Sequence, residues 1–136
     1  MKLKSFLENH EVEYTRNVVK PEEVSVIEKE MGVSLGHELS EYILKYGYLA
    51  YKHLEYYGIN SVQMLESDMV RQTKYIHTYF PKTINYIAFS NSGDGYYILV
   101  SSQDDVYEYS CEMNVVYDLG MKLFDYILES FQEIDK

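Results

Sequence analysis

The chain changes its hydrophobic period once, near residue 84, and that change limits the folds open to it. Before it, apolar residues recur every three or four positions, as on helix faces. After it come three runs rich in aromatic and β-branched residues, Ile84–Ser90, Tyr96–Ser101 and Val106–Cys111. Ser92-Gly93-Asp94-Gly95 closes the first two into a hairpin, because Asp-Gly tolerates the positive φ angles of a tight reversal. Asp104-Asp105 marks the next turn, and Val115–Tyr117 adds a fourth strand. Leu123, Phe124, Ile127, Leu128 and Phe131 then define a closing amphipathic helix. N-terminal helices, an antiparallel β-meander of about four or more strands and a C-terminal helix predict an α+β fold.

The first half supplies the helices. Lys2–Asn9 reads as a short helix with Leu3, Phe6 and Leu7 on one side. Pro21 suits a first helical turn, and Glu22 and Glu23 sit where the helix dipole favours negative charge. Val24, Ile27 and Met31 continue at helical spacing to a stop at Gly32. Leu39, Tyr42, Ile43 and Tyr46 define a second helix ending at Gly47. Tyr48 to Gly58 lacks a clean period, which predicts an irregular loop with a short strand near Leu54–Tyr57. Asn60 with Gln63 resembles a capping box for a third helix. Its buried stripe is Val62, Leu65, Met69, Ile76 and Phe80, before Pro81 forbids continuation.

At 136 residues, 46% of them hydrophobic, the chain fits one domain, 1–136, with a core that needs no disulfide or metal. The single cysteine, Cys111, cannot bridge internally and suits a reducing compartment. No run approaches a membrane span, and Glu8 follows the basic start too closely for an export signal, so a cytoplasmic location is expected. Net charge is −10, of which −8 falls in residues 84–136, where only Lys122 and Lys136 are basic. Such a surface repels phosphate backbones and argues against nucleic acid as partner, so none is expected. It would attract a basic protein, with steering that weakens as salt is added; it also serves solubility.

Little in the sequence points to catalysis. The serines lack a Gly-x-Ser-x-Gly elbow, and Cys111 in a strand reads as an inert thiol. His10, His37, His53 and His77 are scattered; His37 and Glu41 share a helical face, but two ligands do not make a zinc site. No metal, cofactor or catalytic residue is predicted. Ser92-Gly93-Asp94-Gly95 lacks the spacing and lysine of a phosphate loop, and Asp104-Asp105 reads as a solvated turn. Asp94 and Glu108 could do acid–base work only if brought together in a dry cleft. The tyrosines carry more information. There are 16 of them and no tryptophan, and a tyrosine offers a rigid apolar ring with a hydroxyl that tolerates a wet edge. Alternation puts Tyr96 and Tyr97 on opposite faces, and Tyr107 and Tyr109 on one face with Glu108 on the other.

Two stretches carry a resemblance. Glu28, Met31-Gly32, Leu35, Tyr42 and Tyr46-Gly47 match an Ile-x-x-x-Glu-x-x-Leu-Gly helix leading to an aromatic-bearing helix that closes on glycine. Glu55-Tyr56-Tyr57-Gly58 matches a following Glu-x-Tyr-Gly-like element. Ile87-Ala88, Gly93-Asp94 and Tyr97 match a Gly-Asp hairpin, and Val106 with Tyr109 the next strand. From about Pro21 onward the order resembles the SUKH superfamily, which includes bacterial immunity proteins and Smi/Knr cell-wall regulators. It departs at Leu35-Gly36, where the family has Leu-Pro, and in lacking the family's tryptophan after the second helix. The resemblance implies a non-enzymatic protein that binds and neutralises a cognate toxin, often a nuclease, of the polymorphic or contact-dependent kind. A nuclease presents a basic cleft that an acidic protein could occupy. The expected partner contacts are Glu55, Tyr56, Asp94, Tyr96, Asp104, Asp105 and Glu108, with monomer or weak homodimer as the oligomeric state. The alternatives are a regulatory adaptor for a cellular protein and a small enzyme using Asp94 or Glu108.

Overall fold

In the computed structural model, which describes residues 2–14, 19–59 and 65–136, helices precede and follow an antiparallel meander. The order is α1 (Lys2–Asn9), α2 (Val24–Met31), α3 (His37–Lys45), β1 (Leu49–Tyr51), β2 (Leu54–Tyr56) and α4 (Met69–Tyr79). It continues with β3 (Ile87–Gly93), β4 (Tyr96–Val100), β5 (Asp105–Ser110), β6 (Val115–Lys122) and α5 (Leu123–Ile134). Strands β3 to β6 form one sheet in sequence order, and β1 pairs with β2 in a separate ribbon. The expected α+β fold is the observed one.

Local chemistry explains most boundaries. Pro21–Glu23 forms a single 3-10 turn that feeds α2, and Gly32 stops α2 at φ 74°. The Glu28 carboxylate accepts from Leu35 N at 2.7 Å and so closes the bend between α2 and α3. Asp94 (φ 52°) and Gly95 (φ 82°) make the two-residue reversal between Gly93 and Tyr96, as the Asp-Gly pair predicts.

Several expected boundaries need correction. Tyr48–Gly58 holds a two-strand ribbon, since Lys52 (φ 55°) permits a tight turn that no glycine announced. Helix α4 starts at Met69, because Asp68 caps it by accepting from Arg71 N at 2.9 Å. The Asn60–Gln63 cap and Val62 lie outside the described residues, and residues 65–67 form one 3-10 turn. Strand β3 starts at Ile87 rather than Ile84, because Thr83 turns the chain back, donating through Oγ1 to the Ile76 and Phe80 carbonyls. The fourth strand is longer than expected, Val115–Lys122.

The helices are tied to the sheet by capping side chains from distant parts of the chain. The residue before helix α3, at its N-cap, is Gly36, which has no side chain to cap it. Asp104, in the β4–β5 turn, does so: its Oδ2 accepts from Glu38 N at 2.9 Å and its Oδ1 from Leu39 N at 3.0 Å. A Cβ on Gly36 would lie 2.4 Å from that carboxylate, so the glycine makes room for it. Glu38 in turn accepts from Phe124 N at 2.8 Å, capping α5. Asp104 is therefore buried, not the solvated turn residue expected, because two otherwise orphaned helix N–H groups draw it inward.

The register places Tyr96, Ile98 and Val100 on one sheet face with Ser110, Glu108 and Val106, and Tyr97 and Leu99 on the other with Tyr109 and Tyr107. Helix α5 packs against β5, β6, α1 and α3, while Phe80 at the end of α4 sets its ring against Tyr97 and Tyr109. Buried Thr73 completes the α4 stripe by accepting from Ala88 N at 3.0 Å. Tyr42, Tyr56, Phe89 and Phe131 are the large rings at the centre.

The far end of α5 ties three segments together. Asp135 accepts from Tyr51 Oη at 2.8 Å and from Lys52 Nζ at 2.5 Å, with His10 Nε2 at 3.6 Å. The Lys52 and Tyr51 hydrogen bonds hold its carboxyl below the ordinary 3.8. A carboxyl lowered by folding stabilises the fold above its unfolded pKa, and that contribution is lost as pH falls through the lower folded value. Asp135→Asn is expected to melt below wild type at neutral pH, with the gap closing at a pH low enough to protonate the folded-state carboxyl, below 3.8. Thermal melts followed by circular dichroism at both pH values check this; a gap independent of pH contradicts it.

Candidate functional site

The segments that carry the two main sequence motifs meet in space. Gly58 passes so close to Gly47 that a Cβ on it would lie 2.1 Å from the Gly47 carbonyl oxygen, and Ile59 N donates to that oxygen at 3.2 Å. Gly58 N donates to Ser67 O at 2.9 Å and Met69 N to Gly58 O at 2.7 Å, which brings β2 to the start of α4. From α3, Tyr42 Oη donates to Tyr57 O at 2.8 Å. On the other side Tyr57 N donates to Phe89 O at 2.8 Å, and Ser90 Oγ to Glu55 O at 2.9 Å. Strand β2 is thus fixed beside β3 with the Glu55 side chain turned outward.

That arrangement opens a cleft of about 730 Å³. Strand β2 and the His53 turn form one wall, Arg71, Gln72 and Tyr75 of α4 a second, and Ser90, Asn91 and Ser92 of β3 a third. Tyr97 and Ile98 of β4 and Tyr126 of α5 also line it. The β3–β4 ladder is bulged between Ala88 and Ser90 and again between Asn91 and Gly93, which re-aims these side chains.

The polar groups in the cleft are held in defined roles. The Glu55 carboxylate accepts from Tyr48 Oη at 2.6 Å and from Ser67 Oγ at 2.7 Å. Among the described residues no cation lies within ion-pair distance of Glu55, and no carboxylate within that distance of Arg71. Burial raises the phenols of Tyr56, Tyr57 and Tyr97 above their ordinary value. Burial likewise lifts Tyr126 to about 12, against a hydrogen bond from Tyr56 and helped by the Glu108 charge. These tyrosines stay neutral near pH 7 and present rings and hydroxyl donors. Tyr75 of the α4 wall is 47% exposed, and its ring centroid lies 4.8 Å from that of Tyr79, 64% exposed.

The seven expected contact residues divide. Glu55 and Tyr56 line the cleft, and Glu108 borders it, paired across the ladder with Ile98 and acting on Tyr126. Tyr56 is buried, stacked against Phe89 and Phe131, and its hydroxyl shares a short hydrogen bond with Ser130 Oγ. Asp94 is exposed on the hairpin and Tyr96 half-buried beside it. Asp105 pairs with Lys122 at 2.8 Å, and Asp104 caps α3. Asp94 and the Asp104–Asp105 pair lie beyond opposite ends of β4, which spans five residues, Tyr96–Val100. The set does not form one compact site. Arg71, Tyr75, Tyr97 and Tyr126 line the cleft without being among the expected contacts; the available signal was Tyr75 and Tyr79, large rings on the polar face of a predicted helix.

Among the described residues no three His, Cys, Asp or Glu side chains are grouped to hold a metal ion, and no helix is long and apolar enough to cross a membrane. No curated protein matches the chain significantly. A family match, by contrast, runs over residues 3–132, to the SUKH_5 family described as SMI1-KNR4 cell-wall. With the match spanning nearly the whole chain, and the helix–break–helix and hairpin elements in their expected order, the chain belongs to the SUKH_5 family.

Proposed function

We propose that this protein is a non-enzymatic immunity protein that binds and neutralises a cognate bacterial toxin, a nuclease with a basic surface, in the cytoplasm. The observation that carries the reading is the family match over residues 3–132, since the superfamily resembled includes immunity proteins. Charge adds support: the sheet and α5 carry most of the −10, and Glu55, Asp94 and Glu108 have no cationic partner among the described residues. Glu55, Asp94, Tyr96, Asp105 and Glu108 are exposed or half-buried and available to a partner; Tyr56 and Asp104 act from inside the fold.

The test is capture of a toxin from native lysate at low and high salt, followed by association kinetics. Replacing Glu55, Asp94, Asp105 and Glu108 by their amides is expected to slow association about tenfold or more at low salt. The association rates of variant and wild type should converge at high salt, where steering is screened. An unchanged association rate would remove this surface from the reading. A second reading, a regulatory adaptor, is favoured by the cell-wall wording of the family description. Recovery of an endogenous non-toxin protein in the same capture would select it.

A further inference from the structure

We propose that the cleft between β2, β3 and α4 receives an arginine side chain of the partner, its guanidinium set against Glu55 and its plane laid on the exposed ring of Tyr75. This deepens the toxin-binding reading and rests on it. Glu55 is positioned, not merely acidic. Each of its oxygens accepts from one neutral hydroxyl, Tyr48 Oη at 2.6 Å and Ser67 Oγ at 2.7 Å. A carboxylate oxygen has a second lone pair, so a two-pronged acceptor remains with no cation of the described residues near it. Of the tyrosines that line the cleft, Tyr57 and Tyr97 are buried, whereas the ring of Tyr75 is exposed and can attract a cation.

Arginine fits this combination better than lysine. Its planar fork can take both carboxylate oxygens while its face stacks on aromatic rings, and it sheds water more readily than an ammonium. Arg71 stands on the α4 wall of the same cleft, exposed and with no described carboxylate in ion-pair distance. Its charge disfavours a second cation beside the one held by Glu55. A run of basic residues would meet Arg71 and be disfavoured, so one arginine with non-basic neighbours is the matching feature.

The experiment is an amide-resolved NMR titration of the intact chain with N-acetyl-arginine amide, N-acetyl-lysine amide and N-acetyl-citrulline amide, the last a neutral isostere of arginine. The arginine probe is expected to move the signals of Glu55, Tyr57, Ser67 and Tyr75. Its response should exceed that of citrulline by about tenfold and that of lysine by several-fold. Glu55→Gln, which keeps an acceptor for Tyr48, should abolish the response with the rest of the spectrum unchanged. Tyr75→Ala, on an exposed side chain, should weaken it. Equal responses to arginine and citrulline, a lysine response as large, or shifts that persist in Glu55→Gln would each overturn the assignment. The two readings fail separately. Toxin captured equally by wild type and Glu55→Gln at high salt defeats the arginine cleft alone; a selective arginine response with no toxin captured supports the cleft and defeats the toxin reading.

Discussion

Tyr56→Ala is expected to lower the stability of the fold by about 3–5 kcal/mol, the cost of emptying a large aromatic site in a packed core. The ring is 2% exposed and lies 4.9 Å from Phe89 and 5.7 Å from Phe131, nearly parallel to both. Its backbone belongs to β2, and the Tyr42 hydroxyl donates to the neighbouring Tyr57 carbonyl, so the loss would reach α3 and the cleft wall as well. For a domain whose total stability is about 5–15 kcal/mol, that lowers the melting temperature by roughly 10–20 °C. Tyr56→Phe keeps the stack and loses only the hydroxyl contacts to Ser130 and Tyr126, a cost of about 1 kcal/mol. Denaturant unfolding of both variants decides the point. If Tyr56→Ala unfolds within about 1 kcal/mol of wild type, the ring is not the core member described here. A role as surface anchor predicts the reverse pattern, lost affinity at unchanged stability.

The elements that sequence reasoning placed correctly are those whose determinants lie close together along the chain. Leu39, Tyr42 and Ile43 repeat at helical spacing and are fully buried in α3; Asp94-Gly95 makes the reversal it encodes. Tyrosine alternation put Tyr107 and Tyr109 on one face, and the register agrees. The elements missed depend on partners far away in sequence. Asp104 looks like a turn residue in isolation, and its partners at Glu38 and Leu39 lie 66 and 65 positions earlier. The β1–β2 ribbon turns at Lys52, a residue type that carries no turn signal. The cleft was legible only in part for the same reason. Glu55 and Tyr56 were named from a local motif, whereas Tyr75, Tyr97 and Tyr126 come from three separate elements that only the folded chain brings together. Thr73 shows the limit from the other side: a polar residue filled a core position because a strand N–H needed an acceptor there.

The dependence of α3 on a remote cap yields a prediction in which two substitutions, each harmful alone, are less harmful together. Asp104→Gly removes both acceptors and leaves Leu39 N buried without a partner, at a cost of about 2–4 kcal/mol. Glycine is the instructive replacement because Asp104 sits at φ 66°, where it adds no backbone strain of its own. Gly36→Ser alone puts a Cβ within 2.4–2.6 Å of the Asp104 carboxylate atoms, and the crowding costs about 1–3 kcal/mol. With both changes made, the carboxylate that caused the clash is gone. Serine at Gly36, which already has the extended φ −74°, ψ 175° of a cap, can then accept from the N–H groups that Asp104 released. The double variant is therefore expected to be more stable than Asp104→Gly, with a coupling of about 1–3 kcal/mol, read from urea unfolding of the four proteins. Strict additivity would mean that Asp104 and Gly36 do not share the α3 terminus. Because Glu38 passes the connection on to Phe124 N, the same four proteins should rank identically in amide-exchange protection at the start of α5. Protection there that ignores Asp104 would separate the two caps and leave α5 anchored by packing alone.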